Sequence, residues 1–335
     1  MKTSFLPKLV NGQKGDPALF VDLLRQKRAL LFDCGSLTAL APAEILRVSD
    51  VFVSHAHIDH FIGFEHLLRL HLGRGRRVRV YGPPGITRCV QGKLMGYTWN
   101  LVKRQRLVFE VREWDGEQVS VTEFLCRTRF RRSDSRRLPK SEFLFNDELV
   151  SVRGAVLDHR TPSLAFSVAE SDFYNIDPVQ LDSTGLRPGP WLNELKGWVR
   201  KGRAQAKTIS IDGQDWDAAP LADKLLIITR GRKLTYVADA LGNAENSGKI
   251  VELARAVDLL YCEGAFLHED LARAQETYHL TAQQAGELAR SAGVKRLVVF
   301  HFSPKYEGRF AELNAEAKAA HKKSESGGAE INGLG

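Results

Sequence analysis

The sequence predicts an α/β protein with a layered architecture. Short apolar runs with strand character alternate with segments of helical spacing along most of the 335 residues. Hydrophobic residues make up 43% of the chain and charged residues 26%, which is typical of a globular protein with a large core. Strong turn signals such as Gly82-Pro83-Pro84-Gly85 separate the runs.

The first half of the chain is mostly predicted strand. Its one clear helix has Phe61, Phe64, Leu68 and Leu72 at helical spacing, whereas residues 107–130 alternate like an antiparallel ribbon. In order, we expect strands at 29–33 and 51–53, a helix at 61–72, a strand at 78–81, the ribbon at 107–130, a solvated loop at 131–140 and two strands within 150–169.

The pattern changes in the second half. From about 171 to 216, proline and glycine interrupt the pattern and core strands disappear, which indicates an inserted arm. Thr281 with Gln284 forms a helix-opening capping box, and Gly293 closes that helix. We expect strands at 224–229 and 233–238, a helix at 250–257, and strands at 259–262 and 297–300. One domain over 1–318, with its arm at 171–216, is then followed by a flexible tail at 319–335.

The charge distribution favours a polyanionic partner. The net charge is +8, and arginine grips phosphate oxygens through a fixed fork of donors. Basic residues concentrate in a loop at 127–140 and in the arm. The predicted RNA-binding residues are Arg127, Arg129, Arg131 and Arg132 of the loop, and Arg200, Lys201 and Arg203 of the arm.

Other composition features favour a cytoplasmic protein without a membrane partner. The start of the chain has no apolar segment of signal-peptide length, and no run approaches the ~20 apolar residues of a membrane span. The four cysteines are far apart and form no C-x-x-C pair, which argues against a disulfide framework or a thiolate zinc site.

The run Ser54-His55-Ala56-His57-Ile58-Asp59-His60 is the strongest chemical signal. It follows an apolar strand, and zinc is bound by imidazole nitrogen and carboxylate oxygen. On an extended segment His55 and His57 point to the same side. If a helix begins at Ile58, Asp59 and His60 turn toward a second point nearby, so this loop can serve two metal ions.

Three further candidate ligands each follow a predicted strand. They are His159, Asp239 and His301. A lone histidine at a strand end is usually satisfied by hydrogen bonds alone. Here a metal-binding side chain follows a strand three times in addition to the first motif, and this recurrence predicts a dimetal site.

The order H-x-H-x-D-H, His, Asp, His resembles the metallo-β-lactamase superfamily. Within that superfamily, the stretches 278–285 and 294–306 closely resemble ribonuclease Z, which processes the 3′ end of transfer RNA precursors. Residues 157–163 resemble the third metal motif of this family, and residues 185–190 with 195–197 resemble its glycine-proline segment.

The resemblance implies a four-layer αββα sandwich with two zinc ions at one edge of the sheets, although manganese is also a candidate. It assigns His55, His57 and His159 to one ion, Asp59, His60 and His301 to the other, and Asp239 to both. It further implies a homodimer and an arm that clamps the elbow of the transfer RNA, a part that the segment at 171–216 would play.

The expected mechanism is hydrolysis of a phosphodiester. Two zinc ions holding one water lower its pKa from about 15.7 toward ~7, and the resulting hydroxide attacks phosphorus in line. Asp59 would orient the nucleophile, and His279 would protonate the departing ribose oxygen. Glu263 would hold His279 by a hydrogen bond.

The chain departs from the family pattern at three places. Ser36 and Leu37 stand where a glycine-threonine pair is usual, Ala240 stands where threonine is common, and the segment before Ala29 lacks the usual signature. None of these departures removes a candidate metal ligand, so they bear on the identity of the substrate more than on metal binding. Two alternatives therefore remain, namely a dimetal phosphodiesterase or esterase for a small molecule and a non-catalytic RNA-binding relative.

Overall fold

The computed structural model describes residues 5–24, 26–203 and 205–322, which form two compact units. The first unit takes the chain up to Ala169 and again from Lys233 onward, and the second comprises Glu170–Arg232. The predicted arm at 171–216 lies within the second unit, which continues 16 residues further.

An eight-stranded sheet forms the first half of the first unit. Its strands follow chain order from β1 to β8, and β3, β4, β5 and β6 run parallel to one another. The strands are β1 Phe5–Leu9, β2 Leu19–Leu23, β3 Arg28–Phe32, β4 Val48–Phe52, β5 Arg77–Gly82, β6 Val108–Trp114, β7 Val119–Leu125 and β8 Arg136–Arg137.

A six-stranded sheet forms the other half. Its strands are β9 Phe145–Asn146, β10 Val150–Asp158 and β11 Pro162–Glu170, then, beyond β12 to β15 of the second unit, β16 Lys233–Val237, β17 Leu259–Glu263 and β18 Leu297–Phe300. Their order in the sheet is β18-β17-β16-β11-β10-β9, and β16, β17 and β18 run parallel.

Helices lie on the outer faces of both sheets, so the first unit is a four-layer αββα sandwich. The helices of the first unit are α1 Pro42–Ile45, α2 Ile58–Phe61, α3 Phe64–His71, α4 Ile86–Met95, α8 Ala244–Leu253, α9 Leu271–Glu276, α10 Ala282–Ser291 and α11 Phe310–Lys322. Helices α5 to α7 belong to the second unit and are described with it below. Short 3₁₀ turns occur at Cys126–Thr128, His268–Asp270 and Pro304–Tyr306.

Strand side chains alternate between two cores, as the pleat requires. In β3, Leu30 and Phe32 face the core between the sheets, whereas Ala29 and Leu31 face the helices. The core between the sheets is aromatic: the rings of Phe32 and Phe52 stack with centroids 5.1 Å apart. Both faces of the central strands are therefore buried, which explains their unbroken apolar runs.

The second unit has its own small core. Its elements are β12 Phe173–Ile176, α5 Pro178–Ser183, α6 Trp191–Arg200, β13 Thr208–Ile211, β14 Gln214–Asp217, α7 Ala218–Leu225 and β15 Leu226–Thr229. Two hairpin-like sheets, β12-β15 and β13-β14, pack with these helices around Trp191, Leu195 and Leu221. The composition of 171–216 predicted no core strands, yet three short strands, β12, β13 and β14, begin there, whereas β15 lies within the strand expected at 224–229.

Several predicted boundaries are wrong. The helix expected at 61–72 is two helices, α2 and α3, that meet at Gly63, and α8 begins at Ala244 and ends at Leu253 rather than spanning 250–257. The loop expected at 131–140 contains β8. The tail expected at 319–335 overlaps α11, which continues to Lys322, and residues 323–335 lie outside the described part.

Candidate metal centre

The C-terminal ends of parallel strands meet at one edge of each sheet and carry the candidate ligands. His55 and His57 follow β4, and α2 begins at Ile58, so Asp59 and His60 lie on its first turn. This is the local geometry that the motif predicted.

The other three candidates come from the second sheet. His159 lies in the turn between β10 and β11, Asp239 follows β16, and His301 follows β18. All seven candidate ligands therefore converge at this edge.

Asp239 lies at the centre, and its two carboxylate oxygens face different histidines. Its Oδ2 is 3.7 Å from Nε2 of His55 and 3.5 Å from Nε2 of His159. Its Oδ1 is 3.3 Å from Nε2 of His60 and 2.9 Å from Nδ1 of His301. The carboxylate thus has the geometry of a bridge between two ligand sets.

Each set is compact enough to surround one cation. In each, one potential ligand atom per residue lies within 4.8 Å of the others, and the two sets are His55, His57, His159 and Asp239, and Asp59, His60 and His301. A third combination, Asp239, Glu263, His279 and His301, meets the same distance limit. The first two account for every predicted ligand without using His279.

Unsatisfied polar atoms test whether a metal fits. Among the described residues, four buried atoms of the cluster lack a hydrogen-bond partner: Nε2 of His55, Nε2 of His60, Oδ1 of Asp239 and Nδ1 of His301. Leaving one buried polar group unsatisfied costs about 1–3 kcal/mol, so four of them around one carboxylate fit the coordination of divalent cations.

The pKa shifts of His55 and Asp59 favour the forms that bind a metal, whereas the charge of Asp239 outweighs burial and raises the pKa of His60 and of His301. Burial and the neighbouring His60 lower the pKa of His55 to about 2, which keeps its ring neutral. Burial alone would raise the pKa of Asp59, but the hydrogen bond from His301 and the neighbouring His60 hold it well below its ordinary value. A neutral imidazole and an ionised carboxylate are the forms that bind a metal.

Hydrogen bonds fix the ring orientation of two candidate ligands. His159 donates from Nδ1 to the carbonyl of Tyr278 at 2.7 Å, and Nδ1 of His55 lies 3.0 Å from Oγ of Ser54. With Nδ1 occupied, each ring presents Nε2 to the centre, as outer partners of metal-bound histidines generally ensure.

Asp33, which was not predicted as a site residue, anchors His60. Its Oδ2 accepts hydrogen bonds from Nδ1 of His60 at 2.9 Å, Oγ of Ser54 at 2.9 Å and Oη of Tyr236 at 2.8 Å. Its Oδ1 accepts from the Ser54 amide at 2.6 Å. The signal was present in the sequence, since Asp33 follows an apolar strand just as Asp239 does.

The turn after Asp33 packs directly on the motif helix. The amide of Cys34 donates to the carbonyl of His60, and the amide of Gly63 donates to the carbonyl of Cys34, both at 2.8 Å. A Cβ on Gly63 would lie 2.0 Å from the carbonyl oxygen of Gly35. Only glycine permits this approach, which holds α2 against the floor of the site.

Backbone strain concentrates here. Among the described residues, nine non-glycine residues have positive φ, and four of them are at or beside the site: Asp33, Arg160, Tyr278 and His301. Such conformations cost of order 1 kcal/mol each and cluster at functional sites.

His279 and Glu263 form a buried pair next to the cluster. His279 donates from Nδ1 to Oε2 of Glu263 at 2.8 Å, and Oε1 of Glu263 accepts from the Ala240 amide at 2.6 Å. Burial alone would lower the pKa of His279, but the charge of Glu263 outweighs it and the pKa is raised. Glu263 is the last residue of β17 rather than a turn residue beyond it.

Two of the predicted RNA-binding residues, Arg127 and Arg129, do not lie beside this edge. Leu125, at the end of β7, pairs with Val108 at the start of β6, so Arg127 and Arg129 follow at the end of the sheet opposite the candidate ligands. In the second unit, Arg203 pairs with Asp223 at 2.6 Å. Arg200 lies over the ring of Tyr174.

Comparison with known proteins identifies the family. Residues 17–117 match the metallo-β-lactamase superfamily model. A ribonuclease Z from Deinococcus radiodurans is 32% identical over 311 residues, which cover 91% of this chain and 92% of the relative. The chain belongs to the ribonuclease Z family. A ribonuclease Z from Geobacillus kaustophilus is 29% identical, with 88% of this chain and 85% of the relative covered.

Solved structures support the same fold. The short form of human tRNase Z superposes with a TM-score of 0.52 at 21% identity, covering 91% of this chain and 93% of that one. A metallo-β-lactamase fold protein from Bacillus subtilis gives 0.54 at 15% identity, covering 93% and 91%. As a member of the ribonuclease Z family, this chain is a metal-dependent hydrolase. In the described residues, no helix is long and apolar enough to cross a membrane.

Proposed function

We propose that this protein is a zinc-dependent endoribonuclease that removes the 3′ trailer of transfer RNA precursors. The observation that carries the proposal is the two-sided environment of Asp239, whose two oxygens face different histidines from two separate sets of candidate ligands. Two cations side by side are the arrangement used for in-line displacement at phosphorus.

The ligand sets define which residues would hold each cation. His55, His57 and His159 would hold one together with Oδ2 of Asp239. Asp59, His60 and His301 would hold the other together with Oδ1. When bound, such a pair supplies an activated water and offsets the negative charge that grows on the phosphate oxygens.

Asp59 and His279 would handle the protons. The side chain of Asp59 is 36% exposed, so its carboxylate can accept a proton from the attacking water. His279 keeps Nδ1 on Glu263, which leaves Nε2–H as the donor for the departing 3′ oxygen. Glu263 is fully buried and therefore acts by positioning and charging the ring rather than by touching the substrate.

Cytoplasmic transfer RNA precursors would be the substrate, with Arg200, Lys201 and Arg203 of the second unit contributing phosphate contacts. The same role for Arg127, Arg129, Arg131 and Arg132 stays a prediction. We also infer a homodimer from family membership, which light scattering of the purified protein tests directly.

Trailer cleavage tests the function. A precursor carrying a 3′ trailer should be cut by the zinc-loaded protein, and cutting should stop with a chelator and return when zinc is added back. Manganese add-back in parallel identifies which metal supports turnover. Asp239→Asn should lose metal and activity together, because both cations share this carboxylate.

The same assay separates the alternatives. Hydrolysis of an aryl phosphodiester without trailer cleavage would indicate a small-molecule phosphodiesterase. Precursor binding without cleavage, with less than about one equivalent of zinc, would indicate a non-catalytic RNA-binding protein.

A further inference from the structure

We propose that a basic groove on the helix side of the first sheet binds backbone phosphates of the RNA substrate away from the cleaved bond. The groove is defined by Arg88, Arg132 and Arg137 and encloses about 560 Å³. This inference rests on the proposed function and adds a second place at which the substrate is held.

The groove is built from three separate elements. Its floor is the outer face of β6 and β7, with Glu113, Ser120 and Thr122. One wall is the start of α4 and carries Arg88, and the other is the 132–137 segment and carries Arg132 and Arg137. Arginines on facing walls can therefore contact the same chain of phosphates.

The arginines are available for a ligand. All three are exposed, and none forms an ion pair with a described residue. Arg132 donates one hydrogen bond, to the hydroxyl of Ser135 at 3.2 Å. Arg137 lies near Asp115, whose pKa is lowered mainly by backbone hydrogen bonds from Gln118 and Glu117 and only slightly by this arginine.

The acidic residue on the floor is already occupied. The carboxylate of Glu113 accepts a hydrogen bond from the Thr87 amide at 3.0 Å. Three guanidinium groups against this one carboxylate leave the groove positive. Guanidinium forks and hydroxyl donors suit phosphate oxygens, and the lining offers no aromatic surface on which a base could stack.

The strand register places the Arg137 end of the groove at the same edge as the metal centre. Arg137 pairs with Ser120, Ser120 with Glu113, and Glu113 with Gly82 at the end of β5. Tyr81, the residue before Gly82 in β5, pairs with Phe52 of β4, which lies three residues before His55. Four strand spacings separate β8 from β4, which gives about 19 Å, or the rise of about six stacked nucleotides.

The test compares two matched double variants. Arg88→Ala/Arg137→Ala removes one arginine from each wall. Arg104→Ala/Arg106→Ala removes two exposed arginines that precede β6 and lie at the opposite end of the sheet, and these also form no ion pair with a described residue. Both variants lose the same charge, so a difference between them reports position. Thermal unfolding of each checks that the fold is kept.

The groove variant should raise KM for the precursor about tenfold, with kcat changed far less, because two exposed phosphate contacts are lost. The salt dependence of precursor binding should also become shallower, with its slope reduced by about 1.5. The control should change neither quantity.

Equal effects of the two variants, or none, would overturn the groove while leaving trailer cleavage by the wild type intact. Absence of cleavage by the wild type would instead refute the proposed function.

Discussion

A single carboxylate, Asp33, ties the two sheets to the candidate centre. It follows β3 and accepts hydrogen bonds from Tyr236 of β16 and from His60 of α2. Its Oδ2 is buried and is satisfied by three hydrogen bonds. Its charge in turn makes the His60 ring a stronger metal ligand.

We expect Asp33→Asn to weaken zinc binding about 10- to 100-fold, since the amide places donors where three donors already point. Tyr236→Phe removes one of these donors and keeps the carboxylate, so it should weaken binding much less. Competition with a chelator of known affinity measures both variants. Wild-type affinity in Asp33→Asn would contradict the role assigned to this residue.

The pair His279 and Glu263 makes a separate prediction. His279→Ala should retain its zinc but lower kcat about 10²- to 10⁴-fold, as expected for loss of a general acid. Glu263→Gln should retain zinc too. Because the His279 ring then loses the negative charge that raises its pKa, the fall of kcat at alkaline pH should move to lower pH. Metal content measured after dialysis is the deciding observation. Loss of zinc in His279→Ala would make His279 a ligand, in keeping with the third combination of ligand atoms.

For single residues, the sequence predicts which candidate ligands converge at one edge, but it does not reveal the residues that support them. His159, Asp239 and His301 are recognisable because each follows a strand and has a metal-binding side chain. Asp33 follows a strand as well, but its role depends on Tyr236, 203 residues away, and no local pattern reveals that contact.

Among the elements, α10 connects the site to the outer helical layer. The predicted capping box is confirmed: Thr281 accepts from the Gln284 amide, and the Gln284 side chain accepts from the Thr281 amide. His279 stands two residues before this cap. The start of α10 therefore fixes where the proposed acid lies.

The contact between α10 and α11 is tight at Gly286. A Cβ there would lie 2.3 Å from the carbonyl oxygen of Ala317 and 2.7 Å from Cβ of Ala320. Gly286→Ala must push α11 outward and should cost about 1–3 kcal/mol of unfolding free energy. Gly248→Ala in α8 meets nothing within 4 Å and should instead stabilise by about 0.5–1 kcal/mol.

Denaturant unfolding of these two glycine variants checks the sign as well as the size. The substitution is the same and both positions are in helices, so opposite signs isolate packing from helix propensity. A stabilised Gly286→Ala protein would show that α11 can move without cost.

Helix boundaries were harder to predict than helix existence. The apolar spacing from Phe61 to Leu72 continues through Gly63 and suggests one helix, whereas the structure has two. The break arises because Gly63 must approach the carbonyl of Gly35, a tertiary contact that periodicity does not encode.

For the whole molecule, the second unit has a hydrophobic core of its own. Its core draws only on residues between Tyr174 and Leu226, and the three cores of the first unit include none from 170 to 232. The composition change at 171 predicts where this unit begins. Its end was missed because β15, an apolar run, pairs with β12 rather than joining the main sheets.

Removing the second unit therefore tests both the fold and the substrate. Ala169 and Lys233 are directly paired on antiparallel strands, so an Asn-Gly turn can replace residues 170–232 and close β11 onto β16. The shortened protein should fold, bind zinc in the wild-type ratio and hydrolyse an aryl phosphodiester, since every candidate ligand and every core of the first unit remain. Its KM for a transfer RNA precursor should rise about tenfold or more, as the basic residues of the arm are gone. Unchanged precursor cleavage would remove the second unit from substrate binding, and failure to fold would show that the first unit depends on it.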